Sequence, residues 1–538
     1  MALTDTERAQ AATDDTPPAI ESRLGAWWVI AGLAVLLLVI LGWKFMADPS
    51  ISAPTRDPAW YTWRANVILQ SNPVTVAQEW GPAGLFSGGY RITVPLAGAL
   101  LQRVSGLDQY SFSAFLMIGV PVLTGLALGA GAFRSRRDPL AMLMTMIVSA
   151  ALFLTTPYVG YLDNITVLFL LGLTFPFLHA ARTSWGARTA LFLIAIAAAF
   201  THPTTCVIFG VVLLAIFGFH FLTSRFSFGS ALRADGPMLM SVGFGMIFGL
   251  AMWVVGIWGK SASLADAALP PPYTKEFFAA RLREWVMSLQ PLIVGPLVVI
   301  AIVSTIMMAR RERRPAHTYD QAAIWWLLPF LGTLTVLTAT VVPYYRFMNA
   351  TAAPMALAGL GSFVAIRWFL RLEGPKRIAG VLGVVVILGS IGWVLNDGLT
   401  NRWVSERNQW ANQGVRSSLA AVHEVVADAG THPSVLVMNY NDTNDETGTN
   451  TAYGWVKTFT NVFRTGIPGD MVKYHVTYLG TAENFLAGER TTGASEGYND
   501  ASQKHFDELQ TRLQDYPEDP VVFLIGQYYK GLCNGATE

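Results

Sequence analysis

Residues 189–222 read TALFLIAIAAAFTHPTTCVIFGVVLLAIFGFHFL, with Arg182 and Arg188 before them and Arg225 and Arg233 after them. As one helix the run would reach about 50 Å, at about 1.5 Å per residue. The hydrocarbon core of a bilayer is only about 30 Å thick. Short basic connections stay on the cytoplasmic side, so both ends of the run belong on the same side. The run is therefore a hairpin of two spans, turning at Thr201-His202-Pro203-Thr204, where Pro203 breaks the helix.

The same pattern extends outward in both directions. From Gly25 to Asn396 there are roughly eleven apolar stretches of about 17–22 residues, each about long enough to cross a bilayer. They predict spans near 26–46, 111–132, 139–157, 165–181, 189–201, 203–222, 237–258, 291–309, 323–343, 350–366 and 378–396. None has an Asp, Glu, Lys or Arg in its middle. Apolar residues make up 52% of the chain and charged residues 14%, against about 25% charged in a soluble domain. The net charge of +1 gives no sign, by charge, of nucleic-acid binding. Cys206 and Cys533 form neither a disulfide framework nor a metal site.

Alternate connections are rich in arginine: Arg134, Arg136 and Arg137; Arg182 and Arg188; Arg225 and Arg233; Arg310, Arg311, Arg313 and Arg314; Arg367, Arg371, Lys376 and Arg377. The connections 158–164 and 199–204 carry no Lys or Arg. The N-terminus is therefore expected inside, and the C-terminus, after an odd number of spans, outside. The polar segment 1–24 is expected as a cytoplasmic tail. The first apolar run is too long for a signal-peptide core and reads as a retained anchor. The apolar run 91–104 reads as an external amphipathic or re-entrant helix, because a span there would put Arg134, Arg136 and Arg137 outside.

The fold class is thus a polytopic α-helical membrane protein, with a membrane domain over 25–397 and long outer loops at 47–110 and 259–290. In the second loop, Thr274–Gln290 is expected to lie flat on the bilayer as an amphipathic helix. Residues 398–538 have ordinary composition and predict an extracytoplasmic α/β domain. Its strands are expected at Val435–Tyr440 and Val521–Ile525, and its helices near 404–429, 450–463 and 500–514. The acidic loop 441–450 could bind a cation or sugar hydroxyls, but it lacks the spacing of a calcium loop and reads first as a solvated loop.

Five short constellations fall on the predicted outer face. The first is Arg56-Asp57-Pro58-Ala59-Trp60-Tyr61-Thr62-Trp63-Arg64. Pro58 suits a first helical turn with Asp57 as N-cap, and Trp60, Tyr61 and Arg64 then share the face above it. A carboxylate at the membrane surface can also take a proton from a sugar hydroxyl. The second is the turn Gly88-Gly89-Tyr90-Arg91. The third is Tyr158-x-x-Tyr161-Leu162-Asp163-Asn164, with a second outward carboxylate at Asp163. The fourth is His202 at the hairpin turn. The fifth is Tyr344-Tyr345-Arg346-Phe347-Met348-Asn349, where Arg346 stands against the positive-inside trend and is suited to hold a phosphate.

These residues resemble the GT-C superfamily of polytopic glycosyltransferases that use polyprenyl-phosphate sugars. The resemblance rests on Asp57 after the first span, Gly88-Gly89-Tyr90, Asp163 in the next outer loop, and Tyr345-Arg346-Phe347 with Pro354 downstream. With its appended outer domain, the chain is similar to actinobacterial cell-wall arabinosyl- and mannosyltransferases. The resemblance implies a bacterial plasma-membrane enzyme. It would move arabinofuranose or mannose from a polyprenyl-phosphate donor to an envelope glycan or glycolipid on the outer face, by one inverting displacement. It implies Asp57 as catalytic base and Arg346, with Tyr344 and Tyr345, at the donor phosphate. Asp163 and His202 would line the cavity, with Trp60, Tyr61, Arg64 and Tyr90 beside it. Asp57 is followed by Pro58 where several of these families have paired acids, and Asp163 lacks an acidic partner. No cofactor or metal is therefore predicted, and metal dependence is left open.

Two readings compete: a lipid or glycolipid flippase, and a non-catalytic assembly factor for the envelope. Against ion-coupled transport, the spans lack midplane ionisable residues and show no two-fold repeat.

Overall fold

The computed structural model describes residues 32–37, 39, 61–62, 65, 68–69, 93–106, 109–155, 162–223, 226–258, 287, 289–312, 317–332, 351–397, 435–439, 478–481 and 521–525. In chain order the helices are α1 (Thr93–Ser105), α2 (Gln109–Arg136), α3 (Pro139–Thr155), α4 (Leu162–Leu178), α5 (Trp185–Thr201), α6 (Pro203–Thr223), α7 (Phe228–Trp258), α8 (Pro291–Glu312), α9 (Thr318–Gly332), α10 (Ala352–Leu370) and α11 (Lys376–Asp397). Among the described residues, four helical segments are long and apolar enough to cross a membrane: Phe228–Ala251, Pro291–Arg311, Ala352–Leu370 and Lys376–Asp397. Four shorter apolar helices accompany them. On α11, Ile378, Val381, Leu382, Val385 and Val386 are each more than half exposed. Lipid accommodates such a face without cost, whereas water would not.

The break in the opening run falls where the sequence predicts it. α5 stops at Thr201 and α6 starts at Pro203; His202 between them is extended, with φ −157° and ψ 91°. The chain reverses there. Asp235, early in α7, pairs both with Arg182 just before α5 and with His220 near the end of α6, so those two ends lie together. Most of the run 91–104 is helical as expected, in α1 (Thr93–Ser105). Its 13 residues reach about 20 Å, short of a bilayer core. It buries Val94, Ala99 and Gln102 and leaves Leu100 and Val104 exposed.

Two helices run past the apolar stretches that announce them. α2 has 28 residues and α7 has 31, so each extends to more than about 40 Å. The extensions carry Arg134, Arg136 and Asp235 along in helical conformation instead of leaving them in connections.

α10 fills the centre. Fourteen of its 19 residues are buried, and it packs against α3, α8, α9 and α11. Small residues make this possible. Gly359 lies against Thr145 of α3, and Gly361 lies against the Leu297 carbonyl of α8; a Cβ at either position would overlap the neighbouring backbone. Gly361→Leu is expected to destabilise the bundle by about 3 kcal/mol. Gly389→Ala, in open space on α11, should shift it by no more than about 1 kcal/mol in the favourable direction. Thermal unfolding in detergent reads both, and a Gly361→Leu protein as stable as the parent would refute the close approach.

The C-terminal residues described are three strands, β1 (Val435–Asn439), β2 (Tyr478–Thr481) and β3 (Val521–Ile525), ordered β1-β3-β2. β1 pairs parallel with β3, with Val435 opposite Val521. β2 pairs antiparallel, with Tyr478 opposite Leu524. β1 and β3 coincide with the two predicted strands, whereas β2 was not anticipated. The predicted helices near 404–429, 450–463 and 500–514, and the loop 441–450, lie outside the described residues, as does nearly all of the predicted interfacial helix at 274–290.

Candidate functional site

The ends of the helices sort into two groups. One end of the bundle is a buried ionic layer. At the close of α2, Arg136 Nη1 lies 2.9 Å from Asp320 Oδ2 at the start of α9, and its Nη2 donates to Thr305 Oγ1 on α8 at 3.0 Å. Ser135 Oγ donates to the same Asp320 oxygen at 2.7 Å. Arg134 Nη1 donates to the Pro176 carbonyl at 2.5 Å, placing a cation at the C-terminal end of α4, where the helix dipole favours it. Arg182 Nη2 meets Asp235 Oδ1 at 2.7 Å, and His220 Nδ1 meets the other oxygen. Arg367, late in α10, pairs with Asp138 ahead of α3. These contacts join the ends of α2, α4, α6, α8 and α10 to the starts of α3, α5, α7 and α9.

Sequence reading did not single out Asp138, Asp235 or Asp320. Asp235 and Asp320 are completely buried. The signal available was an acid in or just beside three of the arginine-rich connections, where a solvated loop has no need of one.

Beneath the layer is an aromatic stack. Trp326 lies 5.6 Å from Phe175 and 5.3 Å from Phe209 between ring centroids, and Tyr319 meets Phe175 edge-on at 5.3 Å. Gly131 of α2 is packed directly against the Tyr319 ring, where a side chain would not fit.

Two histidines sit in the layer just outside the spanning helices. His179 and His317 face each other with centroids 4.6 Å apart. His317 Nδ1 accepts from the Tyr319 backbone N–H at 3.2 Å, and His179 Nδ1 lies 3.3 Å from Thr318 Oγ1. Burial first, then His179 and the guanidiniums of Arg136, Arg182 and Arg134, hold His317 down to about 4 from 6.5. Burial, followed by Arg182 and Arg134, also lowers His179. An unfolded chain would protonate His317 near 6.5, the folded one only near 4. The contribution of the neutral ring is thus fully present above about pH 6.5 and is lost as pH falls toward 4. Thermal stability is expected to drop across that window, and His317→Gln, which keeps an acceptor, should flatten the drop. An unchanged slope in the variant would refute the assignment.

The opposite end of the bundle is the one to which the sequence motifs point. α4 ends in the ionic layer, so its first turn, which contains Asp163, lies at the other end. α5 leaves the layer just after Arg182 and reaches that same end at Thr201 and His202. His202 is buried, and its backbone N–H donates to the Ala198 carbonyl at 2.8 Å. Asn164, adjacent to Asp163 and not proposed from sequence, is buried as well. Tyr61 is 5% exposed and belongs to the main core together with Val94 of α1 and Ile165 of α4. Asp57, Trp60, Arg64, Tyr90, Tyr344, Tyr345 and Arg346 lie outside the described residues. Among the described residues, no group of three or more His, Cys, Asp or Glu side chains gathers as a metal site would need.

No family model matches the chain, and no curated protein sequence matches it. Among solved structures, it is similar to ArnT from Cupriavidus metallidurans in the apo state, at 14% identity and a TM-score of 0.47, covering 81% of this chain and 85% of that one. It is also similar to the archaeal oligosaccharyltransferase AglB from Archaeoglobus fulgidus in complex with an inhibitory peptide and a dolichol-phosphate. That likeness has 11% identity and a TM-score of 0.43, covering 90% of this chain and 69% of that one. At these scores neither likeness assigns a role to a residue of this chain.

Proposed function

We propose that the chain is a GT-C type membrane glycosyltransferase working at the end of the bundle opposite the ionic layer. One observation supports this reading above the others: the helix ends are sorted. The first turn of α4 with Asp163, the break at His202, and the start of α10, six residues after Arg346 in sequence, belong to the end opposite the ionic layer. By the positive-inside rule that end faces outward.

The proposed reaction is one displacement. Asp57 takes the proton from an acceptor hydroxyl, whose oxygen attacks the anomeric carbon of the sugar. The bond from that carbon to the phosphate oxygen breaks, and polyprenyl phosphate leaves with the electron pair. The leaving group gains negative charge as it departs, so a fixed cation at Arg346 would stabilise the transition state more than the ground state. Tyr344 and Tyr345 would assist at the phosphate. The sugar is proposed as arabinofuranose or mannose, and the acceptor as an envelope glycan or glycolipid. The membrane is proposed as the bacterial plasma membrane, with residues 398–538 outside it.

The test is transfer by purified protein from a panel of radiolabelled polyprenyl-phosphate pentoses and hexoses. Product from one donor supports the reading and identifies the sugar. A folded protein that uses none of them refutes it and favours lipid handling or a scaffold.

A further inference from the structure

A cavity of about 770 Å³ opens beside the ionic layer, between α6 and α7 on one side and α8 and α9 on the other. Small residues create it: Ser230, Ala231 and Ala234 on α7 leave room, and Ala309 does the same on α8. Its depth is apolar, with Ile302 and Ile306 one turn apart on α8 and Trp325 against Phe219, ring centroids 6.0 Å apart. Among the described residues α7 and α8 form no packed pair, so the cavity lies open between them. Its size falls within the about 300–1,000 Å³ usual for ligand pockets.

Two guanidiniums lie among its polar groups, with neutral Thr223, Ser230, Thr305 and Gln321 beside them. Arg310 lines it, is exposed, and has no partner among the described residues. Arg182 and His220 also line it, both engaged with the buried Asp235. Among the described residues no acidic side chain lines the cavity. An apolar slot in the plane of the acyl chains, with an unpaired guanidinium at headgroup level, is complementary to one kind of molecule.

We infer that this cavity binds an anionic phospholipid of the leaflet at the arginine-rich end. The phosphate sits on Arg310, where an arginine suits it better than a lysine would, and an acyl chain fills the slot against Trp325. The site lies at the opposite end from the proposed transfer chemistry. It rests on the membrane reading of the helices and not on glycosyl transfer, so its test reads lipid binding alone.

The experiment titrates delipidated full-length protein in detergent with phosphatidylglycerol or phosphatidylcholine. Thermal unfolding and native mass spectrometry are the readouts. Phosphatidylglycerol is expected to raise the melting temperature saturably, one molecule being retained, with phosphatidylcholine bound at least tenfold more weakly. Arg310→Ala should weaken phosphatidylglycerol about fivefold, the worth of one cation at a membrane surface. Ala234→Phe, which fills the slot, should remove the retained lipid. Should that variant fail to fold, Arg310→Ala decides. Equal binding of the two lipids, no retained lipid, or an Arg310→Ala protein that binds phosphatidylglycerol as the parent does would each overturn the proposal.

Discussion

Replacing Asp57 by Asn is expected to lower sugar transfer by about 10²–10⁴-fold, the usual worth of a general base, and to leave the melting temperature unchanged. The substitution separates two roles that one carboxylate can fill. As the residue before Pro58, Asp57 reads as a helix N-cap, and Asn caps a helix about as well as Asp. It cannot accept the acceptor's proton. Asp57→Ala would remove cap and base together and would confuse the two effects. A merely structural Asp57 predicts full activity in the Asn variant, and that result would remove the residue from the mechanism. Donor binding, measured separately, should change little, because the base acts on the acceptor.

Asp320→Ala is expected to cost about 3–5 kcal/mol of stability, as breaking a buried pair by removing one partner does. The side chains of Arg136 and Asp320 are 6% and 0% exposed. Without the carboxylate, Arg136 keeps, among the described residues, Ser135 Oγ, Thr305 Oγ1 and the Met308 sulfur as contacts, and none of them neutralises it. The asymmetry is testable. Arg136→Met combined with Asp320→Leu removes both charges at similar volume, and the double variant should recover most of the loss. Equal melting temperatures for the parent and Asp320→Ala would show that water reaches the pair and screens it.

What the sequence revealed, and what it concealed, follow from the same physics. The hairpin at His202 was legible because length, proline and flanking arginines all constrain it at once. The helix α1 was legible because a span there would violate the charge rule. The ionic layer was not, because hydropathy treats a charged connection as solvated, whereas α2 and α7 continue as helices and draw Arg136 and Asp235 inside. β2 escaped notice because Tyr478–Thr481 is only four residues with a glycine among them, and its partner β3 lies far along the chain. Of the site residues, His202 and Tyr61 were named from local pattern and prove buried at or near the core. Asn164 was overlooked because an Asx residue at a helix start reads first as a cap.

The central place of α10 also bears on how the protein is made. Its wall α3 is complete at Thr155, roughly 200 residues before Ala352 is added. At about 5–20 residues per second of synthesis, the earlier helices spend on the order of 10–40 s without the segment that later fills the space between them. During that interval the face of α3 that will receive Gly359 is open to lipid or to the insertion machinery. Assembly of this membrane domain therefore finishes late and all at once, and a nascent chain that stops before Ala352 leaves its own middle empty for membrane proteases to find.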